Sequence, residues 1–161
     1  DKPELKILDV GCGTGQLIKE ISEQYPEVDY LGIDVAHNMV EIAANDNTGV
    51  NVRFKHCPIE EFTSEEQFDL ILCTHAFPYF PDKPGMVKKF ATLCKGNGKV
   101  IIANSSTNSL KDLIINFGLK ATTSKAKYLS IEEMKKLLKV LNMFPVSADE
   151  ICLSPKLLSR K

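Results

Sequence analysis

The stretch Leu8-Asp9-Val10-Gly11-Cys12-Gly13-Thr14-Gly15 decides the fold of this 161-residue chain. It joins a short apolar strand pattern, Lys6–Val10, to an amphipathic helix pattern that begins at Gln16. Glycines at such a junction let the backbone turn sharply and let a ligand approach the main chain where a Cβ would clash. The sequence therefore predicts a strand, a glycine-rich turn and a helix, with a ligand site at the turn.

A carboxylate ends the next apolar run, because Asp34 closes the segment Tyr30–Asp34. In doubly wound sheets a carboxylate at this point accepts hydrogen bonds from ribose hydroxyls, and the alternative is that it caps the following helix. The glycine spacing is G-x-G-x-G, which lacks the third glycine of the dinucleotide fingerprint. That spacing, with Asp9 ahead of the turn, makes an NAD-dependent oxidoreductase a less favoured interpretation of the site.

The composition is that of one globular domain spanning residues 1–161, with 43% hydrophobic and 25% charged residues. No apolar run approaches the roughly 20 residues needed to cross a membrane, and no signal-peptide pattern opens the chain. We therefore expect a cytoplasmic protein without a membrane partner. The five cysteines are scattered without C-x-x-C spacing, which argues against disulfides and against a metal site. They are Cys12, Cys57, Cys73, Cys94 and Cys152.

The net charge of −1 conceals an asymmetry between the two halves of the chain. Residues 1–80 carry 5 basic and 15 acidic side chains, whereas residues 81–161 carry 15 basic and 6 acidic ones. Two interpretations remain: solvated helix faces of opposite charge, or a basic region that attracts an acidic substrate. No dense basic run with interleaved aromatic residues is present, so a nucleic acid partner is not expected.

Apolar runs alternate with helical patterns along the chain, which predicts an α/β protein with a doubly wound, mainly parallel sheet. The predicted strands are Lys6–Val10, Tyr30–Asp34, Val52–His56, Phe68–Thr74 and Lys99–Asn104. The predicted helices are Gln16–Tyr25, His37–Asn45, Pro84–Lys95, Leu110–Leu119 and Ser130–Asn142. The last helix begins with the capping-box pattern Ser130-x-x-Glu133. Two short strands, Val146–Leu153 and Lys156–Ser159, are predicted to finish the chain.

The opening stretch resembles motif I of the class I S-adenosylmethionine-dependent methyltransferases. The segment Gly32–Met39 resembles the family's second motif, and Phe68–Cys73 resembles its fourth-strand motif. The ending Met143–Lys161 is similar to its terminal β-hairpin. The resemblance covers nearly the whole chain and implies a Rossmann-like, seven-stranded sheet with a C-terminal antiparallel hairpin and helices on both faces.

The resemblance also implies a cofactor, S-adenosyl-L-methionine, with S-adenosyl-L-homocysteine as product. The three glycines would form the floor under its methionine and ribose, and Asp34 would hold the ribose. Asp9 would receive the ammonium or simply cap the turn, and Met39 would cover the adenine. The implied cofactor-binding residues are Asp9, Gly11, Cys12, Gly13, Gly15, Asp34, Val35, Met39, Pro58, Ile59 and Thr74.

Three departures from the family pattern bear on these expectations. Pro58 stands where the family often has an aspartate for the adenine amino group, which leaves the main chain near Ile59, or Glu60 in a shifted register. The sequence starts almost at the first strand, without the helices that usually cap the substrate side, which is expected either of a fragment or of a minimal enzyme. After the fourth strand, Thr74–Phe80 lacks the Asn/Asp-Pro-Pro-Tyr/Phe motif, which argues against nucleobase and glutamine amide acceptors.

His75 follows the fourth strand at the edge where doubly wound sheets bind ligands, and it is the candidate catalytic residue. It would act as a general base or merely line the pocket. Phe77, Tyr79 and Phe80 would form a lid over the substrate or pack within the loop.

The predicted function is methyl transfer to a small-molecule acceptor, an acidic one if the basic half lies near the substrate. The alternative is a non-catalytic S-adenosylmethionine-binding sensor or partner subunit. The segment Ser105–Lys127 is predicted to shape the acceptor pocket. Four lysines there hint at an acidic acceptor: Lys111, Lys120, Lys125 and Lys127. The sequence predicts no oligomeric state.

Overall fold

The computed structural model describes residues 5–104, 126–143 and 145–148. Strands and helices alternate along most of these residues, as the sequence predicts. The strands are β1 (Lys6–Val10), β2 (Asp29–Asp34), β3 (Val52–His56), β4 (Phe68–Thr74) and β5 (Cys94–Ala103). The helices are α1 (Gln16–Gln24), α2 (His37–Asp46), α3 (Lys83–Leu93) and α4 (Ile131–Val140), with a 3-10 turn at Phe77–Tyr79.

The five strands form one parallel sheet in the order β3-β2-β1-β4-β5. The chain winds outward from β1 to β3, then crosses back to place β4 on the other side of β1. The winding direction therefore reverses between β1 and β4, and ligands of such sheets bind outside the carboxyl ends of the strands at this reversal. The prediction of a doubly wound, mainly parallel sheet is confirmed.

Two apolar clusters cover opposite faces of the sheet, because successive strand residues point to opposite sides. Ile7 packs in the cluster that includes Ile18 of α1 and Tyr30 of β2. Leu8 packs in the larger cluster, which contains Phe90 of α3 and is contacted by the apolar side chains of α4. Helices therefore lie on both faces, and the carboxyl ends of the strands are left for the turns.

The start of the fifth strand differs from the prediction. The predicted helix ends at Lys95 and the predicted strand begins at Lys99, but β5 already begins at Cys94. Phe68 pairs with Cys94 but Leu70 pairs with Lys99, so the residues between them form an irregularity within the ladder. A Cβ on Gly98 would lie 2.9 Å from the carbonyl oxygen of Asp69, so only glycine fits this close approach without a shift.

Several predicted elements fall wholly or partly outside the described residues. The predicted helix Leu110–Leu119 and strand Lys156–Ser159 lie there entirely. Of the predicted strand Val146–Leu153, residues 146–148 are described and are not strand. The sixth and seventh strands and the terminal hairpin therefore stay predictions. Within the described ranges, no helix is long and apolar enough to cross a membrane.

The capping box predicted at the start of α4 is present. The Glu133 backbone N–H donates to Ser130 Oγ at 3.2 Å, and the Ser130 backbone N–H donates to Glu133 Oε2 at 2.8 Å. These bonds satisfy two donors that would otherwise lack a partner at the first turn. They fix the helix whose partly buried face contacts the larger core cluster.

We expect Ser130→Ala to lower the free energy of unfolding by about 1 kcal/mol, because it removes the cap acceptor. Chemical denaturation followed by circular dichroism measures the change. The matched control is Lys135→Ala in the next turn of the same helix, which removes the exposed ion pair with Glu132 and leaves the capping residues in place. It should change stability by less than about 0.5 kcal/mol, and equal losses from both variants would contradict a specific capping contribution.

Candidate functional site

The carboxyl ends of β1, β2 and β4 bring the candidate residues to one edge of the sheet. β1 ends one residue before Gly11, β2 ends at Asp34, and β4 ends at Thr74, immediately before His75. A Cβ on Gly11 would overlap the Cβ of Ala76, so the glycine turn and the loop after β4 are in contact. The candidate cofactor residues and the candidate catalytic residue therefore lie at the same edge.

The glycine turn presents its backbone to open space. Gly13 has a φ of +54°, which favours glycine, and a Cβ built on it would meet no atom within 4 Å. Gly15 has a φ of +73°, but a Cβ there would lie 2.7 Å from Phe54 Cζ and 2.9 Å from Asn47 Nδ2. Gly15 is therefore required by packing within the protein, whereas Gly13 borders space that a ligand can enter.

The Asp34 carboxylate links the turn to the start of α2. Its Oδ2 accepts a 2.9 Å hydrogen bond from the Gly13 backbone N–H, and its Oδ1 accepts a 2.8 Å bond from the Ala36 N–H. Asp34 is not a helix cap, because the N-cap residue of α2 is Ala36 and no side chain caps that helix; Asp34 instead organises the loop that precedes it. An ionised carboxylate can accept about four hydrogen bonds, so half of this capacity is left for another donor.

The Asp9 carboxylate is buried without full compensation. Asp9 is only 1% exposed, and its Oδ1 has no hydrogen-bond partner among the described residues. Burial, and secondarily the negative charge of Asp34, raise the pKa of Asp9 to about 7. A buried carboxylate oxygen without a donor is unfavourable unless a ligand supplies one. This side chain is therefore suited to a cationic or hydrogen-donating group.

The thiols near the glycine turn are poor nucleophiles. Burial, followed by the charge of Asp9, raises the pKa values of Cys12 and Cys73 to about 12, so both stay protonated at neutral pH. Cys12 is buried inside the turn, where it fills space rather than offering a nucleophile. Across the described residues, no group of three or more potential metal ligands is present.

At the edge of the sheet near β3, apolar side chains and backbone groups are available to a ligand. Val35 is 63% exposed and Met39 is 37% exposed, which is unusual for side chains of this size. Ile59 instead directs its side chain into the core, so only its main chain could serve a ligand. The carbonyl of Pro58 accepts bonds from the N–H groups of Glu61 and Phe62, which shape the turn after β3.

The candidate acceptor-site residues in the loop after β4 differ in their solvent exposure. His75 is exposed, has a φ of +60° and donates its backbone N–H to the Ala103 carbonyl at 2.7 Å. Phe77 is 1% exposed, and Phe80 packs against both Phe77 and the core residue Phe90. For Phe77 and Phe80 the structure therefore favours packing over a lid, because Phe77 lies in the core and Phe80 is partly buried against it. Tyr79 is 47% exposed and stays available.

Sequence reasoning missed some residues that build this site. Ala76 has to be small because Gly11 lies against it, and Phe54 supports the turn by packing beside Gly15. Neither contact leaves a pattern in the sequence, since each joins elements far apart along the chain. Lys83 is also buried at the start of α3, and its position at a helix N-terminus was an available signal.

Comparison with known proteins places this geometry in a family. Residues 1–144 match the family model described as a methyltransferase domain. The chain is 32% identical over 126 residues to a malonyl-[acyl-carrier protein] O-methyltransferase of Acetivibrio thermocellus, covering 78% of this chain and 44% of that protein. It is 31% identical over 108 residues to a ubiquinone biosynthesis O-methyltransferase of Acinetobacter baylyi, covering 64% and 44% respectively. The chain thus spans less than half the length of these curated relatives.

Solved structures agree with the fold. The YcgJ protein of Bacillus subtilis superposes with a TM-score of 0.72 at 26% identity, covering 85% of this chain and 61% of that chain. The plantazolicin methyltransferase BpumL, solved in complex with a monoazolic desmethylPZN analogue and SAH, gives a TM-score of 0.74 at 23% identity, covering 86% of this chain and 55% of that chain. The chain belongs to the methyltransferase domain family, with the doubly wound fold of the class I S-adenosylmethionine-dependent methyltransferases.

Proposed function

We propose that this chain binds S-adenosylmethionine at the glycine turn and transfers its methyl group to an oxygen of a small-molecule acceptor. The observation that carries the proposal is the open face of Gly13 between two carboxylates, Asp9 and Asp34, at the reversal of strand order. Relatives named as O-methyltransferases support oxygen as the acceptor atom. The excess of basic residues in the second half of the chain favours an acidic acceptor.

Each part of the cofactor has a chemically matched residue. Among the described residues, the Oδ1 atom of Asp9 has no hydrogen-bond donor, so it suits the methionine ammonium, whose charge-assisted bond would satisfy this buried oxygen. The unused acceptor capacity of Asp34 suits the ribose hydroxyls, while its bond to Gly13 holds the turn beneath them. The exposed side chains of Val35 and Met39 provide an apolar surface for the adenine ring. Thr74 lies at the same edge, at the end of β4.

Ile59 would contact the adenine ring through its backbone N–H instead of its side chain. Among the described residues, no group accepts a hydrogen bond from its backbone N–H. That donor suits a ring nitrogen of adenine, which needs a donor rather than a carboxylate. The turn held by the Pro58 carbonyl fixes its position, so the proline at the family's usual aspartate position is compatible with adenine binding.

The bound sulfonium supplies an activated methyl group for in-line displacement. The protein then has to hold the acceptor oxygen at near-attack distance and exclude water. His75, which is exposed at the edge of the turn, accepts the proton if the acceptor is a hydroxyl. A carboxylate acceptor has no proton to lose, and His75 would then only line the pocket.

Calorimetric titration with S-adenosylmethionine, S-adenosylhomocysteine and NAD tests the cofactor assignment. We expect both sulfur nucleosides to bind and NAD not to bind. Asp34→Ala should weaken binding by roughly 1.5–3 kcal/mol, which is more than tenfold. Asp29→Ala is the matched control, because Asp29 begins the same strand and pairs with Arg53 far from the turn. Binding of NAD instead, or equal losses from both variants, would overturn the assignment.

Gly13→Ala and Gly15→Ala should separate binding from folding. Gly13→Ala adds a Cβ to open space at positive φ, so it should lower stability by roughly 1–2 kcal/mol but weaken S-adenosylhomocysteine binding more than tenfold. Gly15→Ala also overlaps Phe54, so its stability loss should be larger, roughly 2–4 kcal/mol. Thermal denaturation and calorimetry on the same samples measure both effects. Undiminished binding by folded Gly13→Ala would contradict a ligand at this face.

Asp9 should make cofactor affinity depend on pH. Its pKa of about 7 in the free protein means that, below pH 7, binding an ammonium requires release of the Asp9 proton. The Kd for S-adenosylhomocysteine should therefore rise about tenfold per pH unit below about pH 7 and level off above it. Calorimetry in two buffers of different ionisation enthalpy should show nearly one proton released at pH 6. Asp9→Asn should remove both the proton release and this slope.

The Asp9 carboxyl should also make the stability of the free protein depend on pH. Stability should fall over the pH range in which cofactor affinity rises. Because the folded-state pKa of Asp9 exceeds its ordinary value, the free protein binds this proton more tightly than the unfolded chain. Stability therefore falls as pH rises from about 4 to 7, by on the order of 4 kcal/mol from this group. Asp9→Asn should unfold at a higher temperature than the wild-type protein at pH 8 while binding the cofactor less well. An unchanged melting temperature with wild-type binding would contradict the assignment.

Malonyl-acyl carrier protein is the first acceptor to assay, since a relative carries it in its name. Formation of S-adenosylhomocysteine that depends on added acceptor would establish transfer. Cofactor binding without turnover on carboxylate and hydroxyl acceptors would favour a non-catalytic binding protein.

A further inference from the structure

Lys83 is a buried cation that the proposed reaction does not use. It is the first residue of α3 and is only 8% exposed. Its ammonium donates to the carbonyl of Pro78 at 3.1 Å and to that of Phe80 at 3.0 Å, and it lies 5.8 Å from the centroid of the Phe77 ring. All three contacts are to the 3-10 turn and the residue after it, in the loop that carries His75.

This location is unfavourable for a positive charge. Burial, followed by the charge of Lys127, lowers the pKa of Lys83. The positive end of the α3 dipole adds to the repulsion. Among the described residues no carboxylate forms an ion pair with it. Lysine is rarely buried unless its ammonium has partners, and among the described residues the carbonyls of Pro78 and Phe80 supply them.

The Pro78 carbonyl joins three segments of the chain. It accepts the Lys83 ammonium and also the backbone N–H of Lys127, at 2.8 Å, where the chain approaches α4. In the same loop, the Tyr79 N–H donates to the Ala76 carbonyl at 3.0 Å, and Ala76 contacts Gly11 of the glycine turn. Contacts therefore run continuously from Lys83 through the loop to the proposed cofactor floor.

We propose that Lys83 is a positioning residue, which fixes the loop after β4 against the Lys127 segment and so places His75 and Tyr79 beside the methyl acceptor. The placing of His75 and Tyr79 beside a methyl acceptor rests on the proposed function, whereas the hydrogen-exchange test of the loop does not. Lys83 touches neither the proposed cofactor residues nor the reacting atoms. It acts through the carbonyls of Pro78 and Phe80.

Lys83→Met is the decisive variant, because methionine keeps the apolar stem and removes all donors. Hydrogen exchange should show the Tyr79 and Lys127 amides exchanging about tenfold faster or more, since charge-assisted bonds to the loop are lost. Amides in β1 should keep their protection. Lys83→Arg retains donors and should restore protection at least in part. Lys88→Met, on the exposed side of the same helix, is the control and should change neither.

Binding and turnover separate positioning from a general loss of structure. S-adenosylhomocysteine affinity should change less than about twofold in Lys83→Met, because the side chain of Lys83 contacts Phe77, Pro78 and Phe80 and none of the proposed cofactor residues. With the acceptor found in the transfer assay, kcat should fall about tenfold or more at an unchanged KM for S-adenosylmethionine. Recovery of kcat by Lys83→Arg would support positioning through the carbonyls.

Three results would overturn the proposal. One is unchanged exchange at Tyr79 and Lys127, and another is faster exchange in β1 to the same degree, which would indicate a global effect. The third is normal kcat in Lys83→Met. If the wild-type protein binds no sulfur nucleoside, the proposed function fails, whereas the exchange experiment still decides whether Lys83 holds the loop.

Discussion

The carbonyl oxygen of Ile33 accepts hydrogen bonds from the backbone N–H groups of both Gly11, at 2.8 Å, and Cys12, at 3.1 Å. These two bonds fasten the start of the glycine turn to the end of β2. Because Asp34 is the next residue, its carboxylate is placed where it can accept the Gly13 N–H. The turn can then leave one face open to a ligand without losing its shape, and the candidate site depends on that arrangement.

The structure holds two buried ionisable groups without an opposite charge among the described residues. Asp9 lacks a donor for Oδ1, and its burial is unfavourable for stability. Lys83 lacks a carboxylate, but its two bonds to the carbonyls of Pro78 and Phe80 stabilise the loop that it contacts. Unfavourable burial is expected where a ligand completes the hydrogen bonding or where a loop has to be held in one geometry. Asp9 lies on the strand that leads into the glycine turn, and Lys83 contacts the loop after β4, whose Ala76 lies against Gly11 of that turn.

The parts of the fold that follow from local patterns could be predicted, and the parts set by long-range contacts could not. β1, β2 and β4 have clear apolar runs, β3 has apolar residues only at Val52 and Phe54, and the pair Ser130 and Glu133 predicted the start of α4. The start of β5 was not predicted because its first residues pair irregularly with β4, which depends on the close approach of Gly98 to the Asp69 carbonyl.

The site shows the same division. Asp9, Asp34 and the glycines were identifiable from spacing, whereas the burial of Phe77 and the Pro78 contacts of Lys83 were not. A phenylalanine after a strand has the same sequence signature whether it covers a ligand or packs into the core. Only the neighbouring Phe80 and Phe90, brought together by the fold, distinguish the two.

The loop after β4 is anchored to the chain on both of its sides. The Ala103 carbonyl accepts the His75 N–H, and the Lys127 N–H donates to the Pro78 carbonyl. Ala103 and Lys127 therefore both lie beside this loop. The prediction that Ser105–Lys127 shapes the acceptor pocket falls mostly outside the described residues and stays a prediction. Under the proposed function, the glycine turn and Asp34 would hold the cofactor, and the acceptor would be placed across the loop for which we propose Lys83 as a positioning residue.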